Sequence, residues 1–196
     1  MHDVIQQGLD WYLSPTSTAE VDCCPTRDVF QARLDSYYRS LQHAQQIEAA
    51  ALLIATIGEI GNNAFDHNLG QWRDQPGCWF AHTHDADIEW IVLADRGQGI
   101  LASLHRVDPT LNTHQAALEA AFERQISGRA PEQRGNGLKF VRRIISGHAQ
   151  RGLSCMSGDG LLSFGEQTSV LQAALQSTDQ STAHTGTLTM IAWGTR

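Results

Sequence analysis

Residues 47–67 read IEAAALLIATIGEIGNNAFDH. Ala50, Leu53, Ile57, Ile60 and Ala64 recur at three- and four-residue spacing, while Glu59, Asn62, Asn63 and Asp66 gather on another side. That pattern predicts one long amphipathic helix from Ile47 to His67 with a polar edge. Glu59 and Asn63 stand one turn apart on it, so a carboxylate and an amide oxygen share the same space. Magnesium takes few hard oxygen ligands and completes its shell with water and phosphate, and an Asn carbonyl supplies one without adding charge. Glu59 can then orient or deprotonate a nucleophile. Taken alone, the polar edge reads as a solvated helix face, and its chemistry depends on what lies around it.

Working outward, Gly77 to His84 and Ile88 to Asp95 read as two strands joined by Asp85-Ala86-Asp87, most simply paired antiparallel. The second strand runs straight into Asp95-Arg96-Gly97-Gln98-Gly99-Ile100. An acid at the end of a strand can accept a hydrogen bond from an adenine amino group, and glycines allow close backbone approach. Arg134-Gly135-Asn136-Gly137-Leu138-Lys139 opens a further helix, where free amides and the positive dipole end suit a phosphate chain and Arg134 and Lys139 add counter-charge. Glu59 precedes Asp95 by 36 residues, and Asp95 precedes Gly135 by 40. These intervals leave room for a hairpin and a movable segment between pocket walls. Leu153 to Ser157 and Leu161 to Phe164 read as a hairpin around Gly158-Asp159-Gly160, Val170 to Leu175 lies in a polar excursion over 166–185, and Gly186 to Trp193 is a last strand.

Together these segments resemble the GHKL superfamily of ATPases and kinases. Glu59 to His67 is similar to its N box, Asp95 to Ile100 to its first glycine box and Arg134 to Leu138 to its second. Gly186-Thr187-Leu188-Thr189-Met190 is similar to its closing strand. The resemblance covers roughly residues 45–194. It implies an α+β fold of the Bergerat type, a two-layer sandwich of mostly antiparallel sheet with helices on one face, and an ATP lid over about 101–134. It implies Asn63 as the magnesium ligand, Glu59 as the general base and Asp95 as the adenine reader supported by Thr187. Gly135 and Gly137 are implied as phosphate-loop glycines, and Asp66, Gly97, Gly99, Ile100, Arg134, Asn136, Leu138 and Lys139 complete the implied ATP site. The function implied is an Mg-ATP-binding regulatory protein that transfers phosphate to a partner or slowly hydrolyses ATP. The alternative, of a different class, is a non-catalytic nucleotide-sensing module whose lid controls partner binding.

Departures from the family narrow the branch. Only His43 precedes Glu59 closely, 16 residues upstream, which is too little chain for the helical hairpin carrying a phosphoacceptor His. Asp66 stands where many sensor kinases carry a basic residue, His67 is similar to sensor kinases and anti-sigma serine kinases, and Lys139 replaces a common glycine. Small size is similar to the anti-sigma-factor serine kinases, which act on small STAS-type proteins, and a homodimer stays open.

The whole chain agrees. Its 196 residues are 41% apolar and 18% charged, enough for one sizeable core. We expect residues 45–196 as the main domain and 1–44 as a helical N-terminal extension, with helices over 1–13 and from about Asp28. The formal charge of -7 argues against nucleic acid held through phosphate contacts. No leader or membrane-length apolar run is evident, so a cytoplasmic protein is expected. Cys23, Cys24, Cys78 and Cys155 form no CxxC pair and read as reduced thiols. His82 and His84 share a strand face and could bind metal with Asp85, but read better as exposed strand histidines.

Overall fold

The computed structural model describes residues 2–14, 20–44, 47–124, 136–176 and 185–195. Its α-helices are α1 (His2–Leu13), α2 (Arg27–Ala44), α3 (Ile47–His67), α4 (Gly99–His105), α5 (His114–Glu123), α6 (Gly137–Ser146) and α7 (Ser169–Gln176). Its strands are β1 (Cys23–Cys24), β2 (Cys78–Asp85), β3 (Ile88–Asp95), β4 (Arg151–Ser157), β5 (Gly160–Gly165) and β6 (Thr187–Gly194). The strands form one sheet in the order β1-β2-β3-β6-β4-β5, with every neighbouring pair antiparallel. Side chains alternate across a pleated strand, and β3 uses both faces: Ile91 and Leu93 enter one core, Trp90, Val92 and Ala94 the other.

The α+β sandwich expected from the sequence is present, but the covering of one face alone is not. Leu53 and Ile57 of α3 are fully buried in the main core, beside Phe30 and Leu34 of α2, Leu118 and Phe122 of α5, and Val141 and Ile145 of α6. Burial of each such side chain contributes roughly 1.5–3 kcal/mol. On the opposite face Val4, Ile5, Leu9, Trp11 and Tyr12 of α1 join Leu171 and Leu175 of α7 over Trp79, Val92 and Met190. The architecture therefore has three layers. An apolar stripe reveals that a helix must bury one side, but not which face of a sheet receives it, and that ambiguity explains the difference.

The described residues of the span 2–44 share these cores. β1 pairs with β2, α2 packs along α3, and α1 lies across the second sheet face. Arg96, 1% exposed, bolts this region to the end of β3. Its guanidinium stacks over the Trp11 ring at 4.2 Å, donates to the carbonyls of Trp11 and Ser14, and meets Asp74 Oδ2 at 3.2 Å. Among the described residues no helix is long and apolar enough to cross a membrane.

Candidate functional site

The C-terminal half of α3, the end of β3, the start of α6 and the start of β6 enclose a cavity of about 350 Å³. Of the residues expected to form a site, Glu59, Asn63, Asp66, Asp95, Gly99, Ile100, Asn136, Gly137, Leu138 and Thr187 all line it. Gly97 and Lys139 are not part of the lining. Arg134 and Gly135 lie outside the described residues, as does the stretch 125–134 of the span expected as a lid. The described part of that span holds α4 and α5. Leu118 and Phe122 anchor α5 in the main core, so α5 cannot lift away as a cover without emptying that core.

Asp95 closes one end. It is the last residue of β3, is buried, and sits opposite Thr187 in the β3–β6 register. Its Oδ1 accepts the Gly97 N–H at 2.8 Å and Asn68 Nδ2 at 2.9 Å, and Thr187 donates to the carboxylate from both backbone and side chain. Burial pushes its pKa up to about 6 despite those donors. A desolvated carboxylate of this kind binds an outside N–H donor more strongly than a hydrated one does.

Asn68 was not singled out in the sequence. It is 4% exposed, one residue beyond α3, and holds Asp95 with its amide nitrogen while its Oδ1 accepts the Gln98 N–H at 3.1 Å. Gly97 is glycine for this reason. A Cβ there would lie 2.0 Å from Asn68 Cγ, so its open space is occupied by a protein side chain and not offered to a ligand. An Asn following a helix gives only a turn signal, and its 27-residue separation from Asp95 hides the contact. Beside it, the Gln98 side chain donates to the His67 carbonyl, and Ser103 Oγ lies 3.1 Å from His67 Nδ1. Burial, then Arg106, lowers the His67 pKa.

Glu59 and Gly137 mark another part of the wall. From His67 back to Glu59 the chain rises along α3 by roughly 12 Å at 1.5 Å per residue. A Cβ on Gly137 would meet Glu59 Oε2 at 2.1 Å, so the missing side chain lets the start of α6 approach this carboxylate. Asn136, the N-cap of α6, makes no side-chain capping bond, which leaves the first amides of the helix for another acceptor. Asn62 is engaged, its Oδ1 accepting Gln31 Nε2 at 3.2 Å, and Asp66 pairs with Arg27. For Asn63 no side-chain partner is found among the described residues.

The donor chemistry fits magnesium of the phosphate-bound kind. Asn63 and Glu59 offer hard oxygens one turn apart in the same cavity. Among the described residues no three His, Cys, Asp or Glu side chains form a dedicated metal cage. The His82, His84 and Asp85 grouping is accordingly not a centre: His82 stacks on Tyr37 with ring centroids 3.6 Å apart, and His84 Nδ1 lies 3.0 Å from Glu89 Oε1. All four cysteines are free.

No protein-family model matches the chain, and no curated protein does.

Proposed function

We propose that this cavity binds ATP with magnesium, and that the chain is a regulatory ATPase or phosphotransferase of the GHKL kind with a Bergerat-type fold. One observation carries the reading. Residues from four separate stretches of sequence, Glu59 with Asn63, Asp95, Asn136 to Leu138, and Thr187, line a single cavity. Asp95 accepts the adenine amino group, with Thr187 and Asn68 holding its carboxylate in place. The first amides of α6 receive phosphate oxygens. Asn63 would hold the magnesium ion, which supplies charge neutralisation along the phosphates. Glu59 orients the attacking hydroxyl or water and takes its proton.

Titration calorimetry with Mg-ATP tests the binding step. We expect binding that Asp95→Asn abolishes and that loses its magnesium dependence in Asn63→Ala. Absence of any heat of binding, or binding indifferent to Asp95, refutes the reading. Labelled ATP then separates phosphate release from transfer to a partner protein.

A second reading, a nucleotide-sensing module without turnover, is favoured by one feature. Glu59 is exposed and no group among the described residues hydrogen-bonds its carboxylate, so nothing there orients it as a base. In that case ATP-dependent partner binding survives Glu59→Gln, and no phosphate is released by either protein.

A further inference from the structure

Cys24 and Cys78 lie directly across from one another in the antiparallel β1–β2 pair. Partners in such a register have Cα atoms about 4.5 or 5.5 Å apart, and both values fall within the roughly 4.4–6.8 Å window of a disulfide. The two side chains share the main core and both thiols are free, with the Cys24 S–H directed to the Asp22 carbonyl at 4.0 Å. Neither remaining cysteine competes from the same position. Cys23 packs on the opposite sheet face and accepts from Gln75 Nε2 at 3.3 Å, and Cys155 accepts from Thr189 Oγ1 at 3.3 Å.

We propose that Cys24 and Cys78 form an oxidisable cross-strand dithiol, a modification site that hydrogen peroxide closes to a disulfide. Access comes through the cavity, because Cys78 is part of its wall although only 2% exposed. Cys78, the thiol on the cavity wall, is the one that peroxide reaches first, and Cys24, fully buried and not part of that wall, is the resolving thiol.

The Cys78 thiolate attacks one peroxide oxygen. The O–O bond breaks, the departing hydroxide is protonated to water, and Cys78 becomes a sulfenic acid. The Cys24 sulfur then attacks the Cys78 sulfur, the S–O bond breaks, and a second water leaves with the Cys24 proton. Two thiols thus give up two electrons and two hydrogens, and one peroxide becomes two waters. The proposal does not depend on the identity of the cavity's ligand.

The test treats the folded chain with hydrogen peroxide, blocks remaining thiols with iodoacetamide, and maps tryptic peptides by mass. Cys24 falls in the peptide 1–27 and Cys78 in 74–96. We expect these two to appear joined, lighter by two hydrogens, and to separate on reduction. Cys23→Ser retains the joined species and removes ambiguity within the first peptide. Cys24→Ser abolishes it and leaves Cys78 at the sulfenic stage, trapped by dimedone. The proposal is overturned if wild-type Cys24 and Cys78 stay fully alkylated at peroxide doses that oxidise Cys23 or the methionines, or if the disulfide found joins any other pair.

Discussion

Replacing Asp95 by Asn removes an ionisation that the fold resists. The wild-type carboxyl titrates at about 6 against an ordinary 3.8, a difference of roughly two units or about 3 kcal/mol. Because the folded pKa lies above the unfolded one, the native state holds more protons between pH 4 and 6. The contribution of this group to stability is full below the unfolded pKa and is lost as pH rises through about 6. His67 and His82 work in the opposite sense. Burial lowers both, so their contribution is present above their ordinary value and lost as pH falls through the folded one. The absolute pH profile mixes these trends, and the difference between wild type and Asp95→Asn isolates the carboxylate. An Asn carbonyl at the Oδ1 position keeps the bonds from Gly97 and Asn68. A bond from Thr187 is weakened at every pH by about 1 kcal/mol, an offset without slope. Urea unfolding followed by tryptophan fluorescence at fixed pH values should show the variant gaining up to about 3 kcal/mol relative to wild type between pH 4 and pH 7. ATP binding by the wild type should weaken about tenfold per unit below pH 6. Parallel stability profiles for the two proteins would refute the assignment of a desolvated, ionisable Asp95.

Gly137→Ala should weaken nucleotide binding at least tenfold, and Glu59→Ala in the same chain should restore part of it, since the inserted methyl meets the flexible end of Glu59 and not backbone; calorimetry on the single and double variants checks this. Asn68→Ala strips a buried carboxylate and the Gln98 amide of a partner, and should cost about 1–3 kcal/mol in urea unfolding. Arg96→Ala removes the donor to the Trp11 and Ser14 carbonyls and leaves a void beneath the indole; a loss of about 3–5 kcal/mol is expected, and a change below 1 kcal/mol contradicts the buried geometry.

The chain announces its regular elements where period and punctuation agree. α3 runs from Ile47 to His67 and β3 from Ile88 to Asp95, as their apolar patterns require, because both are long and each pattern ends at polar residues. The turn at Gly158 and Asp159 likewise delivers the β4–β5 hairpin. α4 was not anticipated as a separate helix, since the glycines at 97 and 99 mark a loop and the helix is only seven residues long. Within the site, residues that touch the cavity through a motif were legible, while those that act through a neighbour were not. Asn68 works only because the fold returns β3 to the end of α3. Arg96 sits inside a recognisable glycine box yet turns away from the cavity, and no local pattern distinguishes a ligand-facing cation from a buried one.

Arg96 carries a practical consequence for how this protein can be cut. Trimming the chain to begin at residue 20, and still more at 45, removes the indole and the two carbonyls that accommodate its guanidinium. A cation with little access to water is then stranded immediately beside Asp95. A shortened version would be expected to misfold or to draw solvent into that corner, so failure of such a fragment to bind nucleotide would say nothing about the intact protein.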